Sequence, residues 1–273
     1  MSDSPAGLKD KLLGGKRVYG TCLTSTGPSW PLSLKKANLD FAFIDNEHIA
    51  MNRADLSRLC QVLSGYGIDS IVRIPSPDPY LASQAIDAGA TGVIAPYLEK
   101  VDQIRELVGA VKFKPIKGEF LQRLIRGEER LSPEMQRYVD NFNAGRLCIA
   151  NIESVAAMNI LDELLSVPGL DGVFIGPHDL SVSLGVPEQY DHPVFEKAVT
   201  EIIQTTRRKG LSIGIHFSLE PERQIKWVKT GANIVVHSFD IALFTQRLIH
   251  DMNIIRGGVG DATGGHASGN ITI

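Results

Sequence analysis

Eight short runs rich in Val, Ile and other apolar residues recur along the chain, and longer segments with apolar residues at helical spacing lie between them. The runs are Arg17 to Thr24, Phe41 to Asp45, Ser70 to Ile74, Gly92 to Leu98, Leu147 to Ile152, Gly172 to Ile175, Leu211 to Phe217 and Ile234 to Val236. Their apolar residues are consecutive rather than alternating, which is how a strand buried on both faces reads. The intervening segments Ala54 to Leu63, Leu81 to Ala88, Val101 to Val111, Val155 to Leu165 and Val194 to Thr206 carry helical periodicity. Asp78-Pro79 marks one helix start, and Ser154 can cap another. Small-residue punctuation precedes four of the strands, at Lys36 to Asp40, Asp87 to Gly92, Val167 to Gly172 and Thr230 to Asn233, as expected of helix C-caps leading into strands. Eight strands with intervening helices predict a (β/α)8 barrel of the TIM type. The alternative is an open doubly wound sheet, but no G-x-G-x-x-G follows the first strand to support its nucleotide-binding form.

Size and charge narrow the function classes. The 273 residues are 43% hydrophobic and 22% charged, enough apolar material for one large core. The formal net charge of −3, from 28 Lys+Arg against 31 Asp+Glu, offers no field to hold a polyanion, so no nucleic-acid partner is expected. No apolar run reaches the roughly 18 residues of a membrane span. Met1 to Lys11 lacks the apolar core of a signal peptide, and Cys22, Cys60 and Cys148 are too scattered for a disulfide framework or a zinc site. The expectation is a cytoplasmic protein with one barrel domain over 1–256 and a flexible Gly- and Ser-rich tail over 257–273. One segment breaks the rhythm: Phe113 to Asn143, long and charged, follows the fourth strand. It is expected to lie over the catalytic face of a barrel and to include a helix near Pro133 to Asn143.

Chemistry in such a barrel sits where strands end. Asp45, Asn46, Glu47 and His48 close the second strand, and Arg73 lies on the third. Asn151 and Glu153 end the fifth, and Gly176, Pro177, His178 and Asp179 follow the sixth. His216 and His237 stand near the ends of the seventh and eighth. Isolated buried charges are costly unless paired or metal-bound, so this concentration at one rim points to a site. Glu153 and Asp179 suit a hard divalent cation, with water and substrate oxygens completing the shell. Arg73 offers a planar fork to a carboxylate or a developing enolate. His48, which titrates near neutrality, is the candidate base, with Asp45, Glu47 or Asp87 as its orienting partner. Structural readings stay open for single residues: Arg73 as an ion pair, Glu153 as a helix cap, Asp45 as a shaper of its own loop, and any one histidine as a satisfied core residue. No strand end clearly offers the desolvated lysine of a Schiff-base aldolase.

At these residues the chain resembles the HpcH/HpaI aldolase family, metal-dependent class II aldolases acting on pyruvate-type 2-oxo acids, with 2,4-dihydroxyhept-2-ene-1,7-dioate aldolase among its types. Phe43-Ile44-Asp45-Asn46-Glu47-His48 is similar to the family's Asp-x-Glu-His signature. Val72-Arg73-Ile74-Pro75, with Asp78-Pro79 and Asp87-Ala88-Gly89-Ala90, resembles its arginine strand and next helix. Ile152-Glu153 and the long stretch Gly169 to Ser181 resemble its two metal strands. The likeness runs from about Leu12 to Leu248. It implies a (β/α)8 fold with Glu153 and Asp179 binding Mg²⁺ or Mn²⁺, or else Co²⁺. A 2-oxo acid would be chelated through its keto and carboxylate oxygens, and the His178 and Asp179 amides would receive the carboxylate. Arg73 would stabilise the enolate, and His48, made more basic by Asp87, would move the proton. The last helix is commonly exchanged between neighbours, so the resemblance also implies a homo-oligomer, a hexamer built as a trimer of dimers. The partners are then a small 2-oxo acid and an aldehyde or other acceptor.

The chain departs from the family pattern in four ways. Asn151 stands where a glutamine is usual, and His178 where an alanine is usual. Lys117, in Lys114 to Phe120, stands in for the usual loop arginine. His216 and His237 replace apolar or small residues. These departures mark Asn151 and His178 as substrate-binding candidates and Lys117, His216 and His237 as specificity candidates. The first reading is an aldolase or lyase. The alternatives are a specialised enolate-using carbon–carbon synthase of the citrate- or macrophomate-synthase kind, and a non-catalytic barrel that binds a 2-oxo acid.

Overall fold

Every apolar run forms a strand, and the eight strands close on one another in chain order. The computed structural model describes residues 7–262. The strands are β1 (Val18–Leu23), β2 (Phe41–Asp45), β3 (Asp69–Arg73), β4 (Gly92–Ala95), β5 (Leu147–Ile152), β6 (Gly172–Ile175), β7 (Ser212–Phe217) and β8 (Ile234–Phe239). All pair in parallel, and β8 returns to β1 to complete a (β/α)8 barrel. β2, β5 and β6 keep the bounds of their runs. The Gly92 to Leu98 run stops being strand at Ala95, because Pro96 has no N–H to continue the ladder.

The helices are α1 (Leu8–Leu13), α2 (Trp30–Lys36), α3 (Arg53–Gly65), α4 (Pro79–Asp87), α5 (Val101–Lys112), α6 (Gly118–Ile125), α7 (Pro133–Phe142), α8 (Val155–Asn159), α9 (Leu161–Leu164), α10 (Pro177–Ser183), α11 (Pro193–Arg208), α12 (Pro221–Thr230) and α13 (Asp240–Val259). Asp78 caps α4 by accepting from the Tyr80 N–H, and Ser154 caps α8 by accepting from the Ala157 N–H. The single helix expected over Val155 to Leu165 is two, because Ile160 (φ −120°, ψ 22°) leaves the helical region between them.

Two apolar clusters hold the barrel. The outer one lies between strands and helices and includes Ile44, Leu63, Val72, Val93, Ile104, Val173 and Ile202. The inner one fills the barrel with Val18, Phe41, Phe43, Ile71, Ile94, Ile149, Phe174, Ile234 and Val236. Leu8 and Leu12 of α1 belong to the inner cluster, so this helix stops the end of the barrel where the strands begin. Phe43 and Phe174 stack across the interior at 5.5 Å.

The segment 113–143 is placed differently from expectation. It follows α5, not β4 directly, and leads through α6 and α7 into the start of β5. Its fastenings are all at the strand-start end: Lys114 pairs with Asp87 at the end of α4, and the Asn143 side-chain amide donates to the Lys114 carbonyl at 2.7 Å. Within one chain it therefore does not cover the mouth where the strands end. A strand-to-helix loop would have crossed that mouth, whereas this is a helix-to-strand connection. α13 continues to Val259, so the first residues of the expected flexible tail are helical, and 263–273 lie outside the described residues. Only Asp240 and Ala242 of α13 are buried, while Phe244, Leu248, Ile254, Ile255 and Val259 are exposed.

Gly214 in β7 tests the inner packing. A Cβ there would lie 2.7 Å from both the Phe174 ring and Ile234. Gly214→Ala is expected to destabilise the fold by about 1–3 kcal/mol, the range for overpacking a filled core. Urea unfolding measures this, and an unchanged midpoint would contradict the packing described.

Candidate active site

Asp45 and Arg73 are register partners at the ends of β2 and β3, which sets their side chains against each other. Arg73 Nε donates to Asp45 Oδ1 at 3.0 Å and its Nη2 to Oδ2 at 2.7 Å, a bidentate pair. Asp45 is fully buried and the Arg73 side chain is 12% exposed. Burial opposes ionisation of Asp45, but the guanidinium outweighs it and holds the carboxyl below its ordinary range. Burial likewise works against the charge on Arg73, and Asp45 with Glu47 reverses that, holding the guanidinium above its ordinary range. Asp45 Oδ1 also accepts from the Glu47 N–H at 3.0 Å and weakly from the His48 N–H at 3.5 Å. Asp45 thus shapes its loop and aims the arginine together.

Glu47 Oε2 lies 3.2 Å from Arg73 Nε and 3.9 Å from His48 Nε2. It is buried and makes no aligned hydrogen bond. Glu47 is therefore the carboxylate nearest His48. Asp87 is not brought to His48 within the chain: it ends α4, is held by Lys114, and opens on a cavity of about 360 Å³ between α3 and α4 that Asn46 also lines. Lys117 sits at the start of α6 on the same far connection, so one chain does not place it at the mouth either.

The opposite side of the mouth is acidic. Glu153 follows β5 and is almost fully buried. Its Oε1 accepts from the Tyr97 N–H at 2.8 Å, and its Oε2 accepts from the Asn151 side-chain amide. Gly176, at the end of β6, makes room for it, since a Cβ there would meet Glu153 Oε2 at 2.8 Å. Burial pushes the Glu153 carboxyl up to about 7, with the charges of Asp179 and Glu47 adding to the rise. Asp179, on α10, is exposed. His178 beside it faces Glu188 at 3.6 Å. Asn151 Oδ1 is buried without a partner.

These residues fit a hard divalent cation. The donors are carboxylate and amide oxygens, one carboxylate is desolvated, and a buried oxygen lacks its partner, in keeping with a site where one or two carboxylates leave most positions to water and substrate. Among the described residues no cluster of three or more His, Cys, Asp or Glu is placed to hold a metal ion.

His216 and His237 occupy the last sector. His216 Nε2 faces the Ser238 carbonyl at 3.0 Å, and its ring lies 5.7 Å from Phe43. Burial, helped by the charge of Arg73, pushes His216 down to about 4. His237 is also lowered by burial, and its Nδ1 has no partner. Sequence reading missed Tyr97 altogether. Its apolar run concealed it, although Pro96 announced a turn. The nearby Glu47 carboxylate pushes Tyr97 up to about 12, with burial and the charges of Glu153 and Asp179 adding to it.

Comparison with known proteins follows the same lines. The family model described as HpcH/HpaI aldolase/citrate lyase matches residues 24–246. The chain is 30% identical over 240 residues to a 2-keto-3-deoxy-L-rhamnonate aldolase of Klebsiella pneumoniae, covering 88% of this chain and 89% of that one. An HpcH/HpaI aldolase structure from Desulfitobacterium hafniense superposes with a TM-score of 0.79 at 27% identity, covering 92% and 96% of the two chains. The citrate synthase SbnG shares the fold, with a TM-score of 0.80 at 24% identity over 93% and 99%.

His216 gives a pH signature. An unfolded histidine takes a proton near pH 6.5, but this one resists until about 4. Between those values only the unfolded chain binds the proton, so stability is intact above pH 6.5 and falls as pH drops toward 4. Full desolvation would make the loss about 2 kcal/mol at pH 5, and the ring's partly wet edge reduces it to about 1 kcal/mol. His216→Gln is expected to lose that much less than the parent between pH 7 and pH 5 in urea unfolding. Equal losses would contradict the buried neutral imidazole.

Proposed function

The chain belongs to the HpcH/HpaI aldolase/citrate lyase family, and on that premise we propose that it is a divalent-metal-dependent aldolase joining and cleaving a pyruvate-type 2-oxo acid and an aldehyde. The observation that carries the reading is the pairing of a desolvated carboxyl, Glu153, with Asp179 across the mouth from an arginine locked in place by Asp45. The activity of the Klebsiella relative, a 2-keto-3-deoxy-L-rhamnonate aldolase, suggests the substrate class, a 2-keto-3-deoxy sugar acid. Such an acid divides into pyruvate and a short hydroxyaldehyde.

Glu153 and Asp179 are the residues that would hold the cation, and Mg²⁺ or Mn²⁺ bound there supplies the positive charge on which an enolate is stabilised. Arg73 keeps Nε and Nη2 on Asp45, while its Nη1 has no side-chain acceptor among the described residues. That remaining edge is the donor assigned to the enolate oxygen. The first-turn amides of α10 at His178 and Asp179, which a helix leaves without internal acceptors, are assigned to the substrate carboxylate. Asn151 Oδ1, buried and unpaired, is left to accept from substrate or water. His48, 41% exposed and beside Glu47, is the group assigned to move the proton. In cleavage it takes the hydroxyl proton as the carbon–carbon bond breaks. In the other direction it takes the methyl proton of pyruvate.

The apolar side of α13 supports a further part of the reading, association into a homo-oligomer through that helix. Light scattering is expected to give a multimer, with a hexamer as the anticipated size. A monomer would overturn it.

The central test is exchange of pyruvate methyl protons with D₂O, followed by NMR with Mg²⁺ or Mn²⁺ added. Exchange is expected to require metal, to stop with EDTA, and to disappear in Glu153→Gln. In Arg73→Ala it is expected to fall by about 10²-fold, the loss typical of an oxyanion-stabilising donor. Full exchange after EDTA treatment would sink the metal-dependent reading.

A further inference from the structure

Tyr97 stands at the end of β4 in a conformation that its neighbours do not share. Its φ of 55° is in the left-handed region, which a bulky residue enters only when the surroundings enforce it. Ala95 and Leu98 are buried, while Tyr97 is 53% exposed, so the turn lifts the ring out of the packing. Its N–H is fixed to Glu153 Oε1 at 2.8 Å, one bond from a residue assigned to the cation. Its phenol lies in the field of Glu47, Glu153 and Asp179. Glu47 follows β2 and Asp179 follows β6, strands that face each other across an eight-stranded barrel. A half-exposed side chain that starts from a backbone tied to Glu153, at the end of β4, stands at the rim of the mouth. It is a neutral donor among three carboxylates, and a phenol of ordinary pKa about 10 keeps its proton at neutral pH.

We propose that Tyr97 is a specificity-determining residue for the second substrate: its phenolic O–H, exposed at the rim, donates a hydrogen bond to the carbonyl oxygen of an incoming short hydroxyaldehyde. The inference rests on the aldolase reading above. In the addition direction the enolate carbon bonds to the aldehyde carbon, and the carbonyl π pair moves onto oxygen. That oxygen takes the proton His48 removed from the pyruvate methyl group, so nothing is oxidised or reduced. Tyr97 orients and polarises the carbonyl without giving up its own proton. The enolate half-reaction does not need it, whereas carbon–carbon bond formation does.

The experiment compares Tyr97→Phe with the parent enzyme in two reactions, pyruvate methyl exchange in D₂O and addition of pyruvate to glycolaldehyde. Addition is expected to fall about ten-fold or more, with the KM for glycolaldehyde raised, as for loss of one hydrogen bond of about 1.4 kcal/mol. Exchange is expected to change by less than about three-fold on the same scale. Mg²⁺ affinity by calorimetry and the melting temperature are expected to stay at the parent values, because the Tyr97 N–H to Glu153 is retained. Equal losses in both reactions, or weakened Mg²⁺ binding, would make Tyr97 a structural support of Glu153 and overturn the proposal. So would unchanged addition, or a parent enzyme that exchanges protons but adds to no glycolaldehyde. A parent enzyme with no metal-dependent exchange would fail the aldolase reading itself, and the proposal with it.

Discussion

The site depends on one buried ion pair, Asp45 with Arg73. Both charges sit at the ends of adjacent strands where water is largely excluded, and neither is tolerable there without the other. Their bidentate geometry follows from the ladder, which sets them as register partners. Because Asp45 also holds the backbone of Glu47 and His48, one carboxylate fixes the arginine, the neighbouring acid and the start of the loop bearing the assigned base. The Asn46 N–H donates to the Arg73 carbonyl at 3.0 Å, so the main chains of the two strands are tied at the same level.

Beneath that pair the barrel interior is aromatic. Arg73 lies 5.5 Å over the Phe43 ring, and Phe43 stacks on Phe174. The guanidinium therefore rests on a flat, weakly polarising floor that favours a cation without competing for its hydrogen bonds. The same floor borders His216 and contributes to keeping that imidazole neutral. Gly214 and Gly176 are the spaces that let Phe174 and Glu153 take these positions. The polar mouth and the apolar interior are thus set by a few small residues as much as by the charged ones.

The barrel was readable because each strand is buried on both faces and so appears as an unbroken apolar run. The rim followed from the barrel, since the turns after β2, β5 and β6 carry the acids in plain sequence. What could not be read is what depends on direction and distance through space. Segment 113–143 follows the fourth strand in sequence, but a whole helix intervenes and delivers it to the other end. Asp87 reads as a partner for His48 because both lie in matching motifs; within one chain it ends α4 and pairs with Lys114. Of the three candidate acids, Glu47 is the one whose carboxylate lies nearest the His48 ring. Tyr97 was hidden inside a run that seemed wholly strand, and only the left-handed turn after Pro96 reveals it. The break at Ile160 is equally silent, because α8 and α9 keep one apolar rhythm through it.

The first helix has a consequence for traffic. With Leu8 and Leu12 seated among the inner residues, α1 extends a core that already fills the barrel, so nothing crosses from one end to the other. Solvent and small molecules therefore meet the site's residues only from the strand-end face, where Tyr97 and His48 stand exposed.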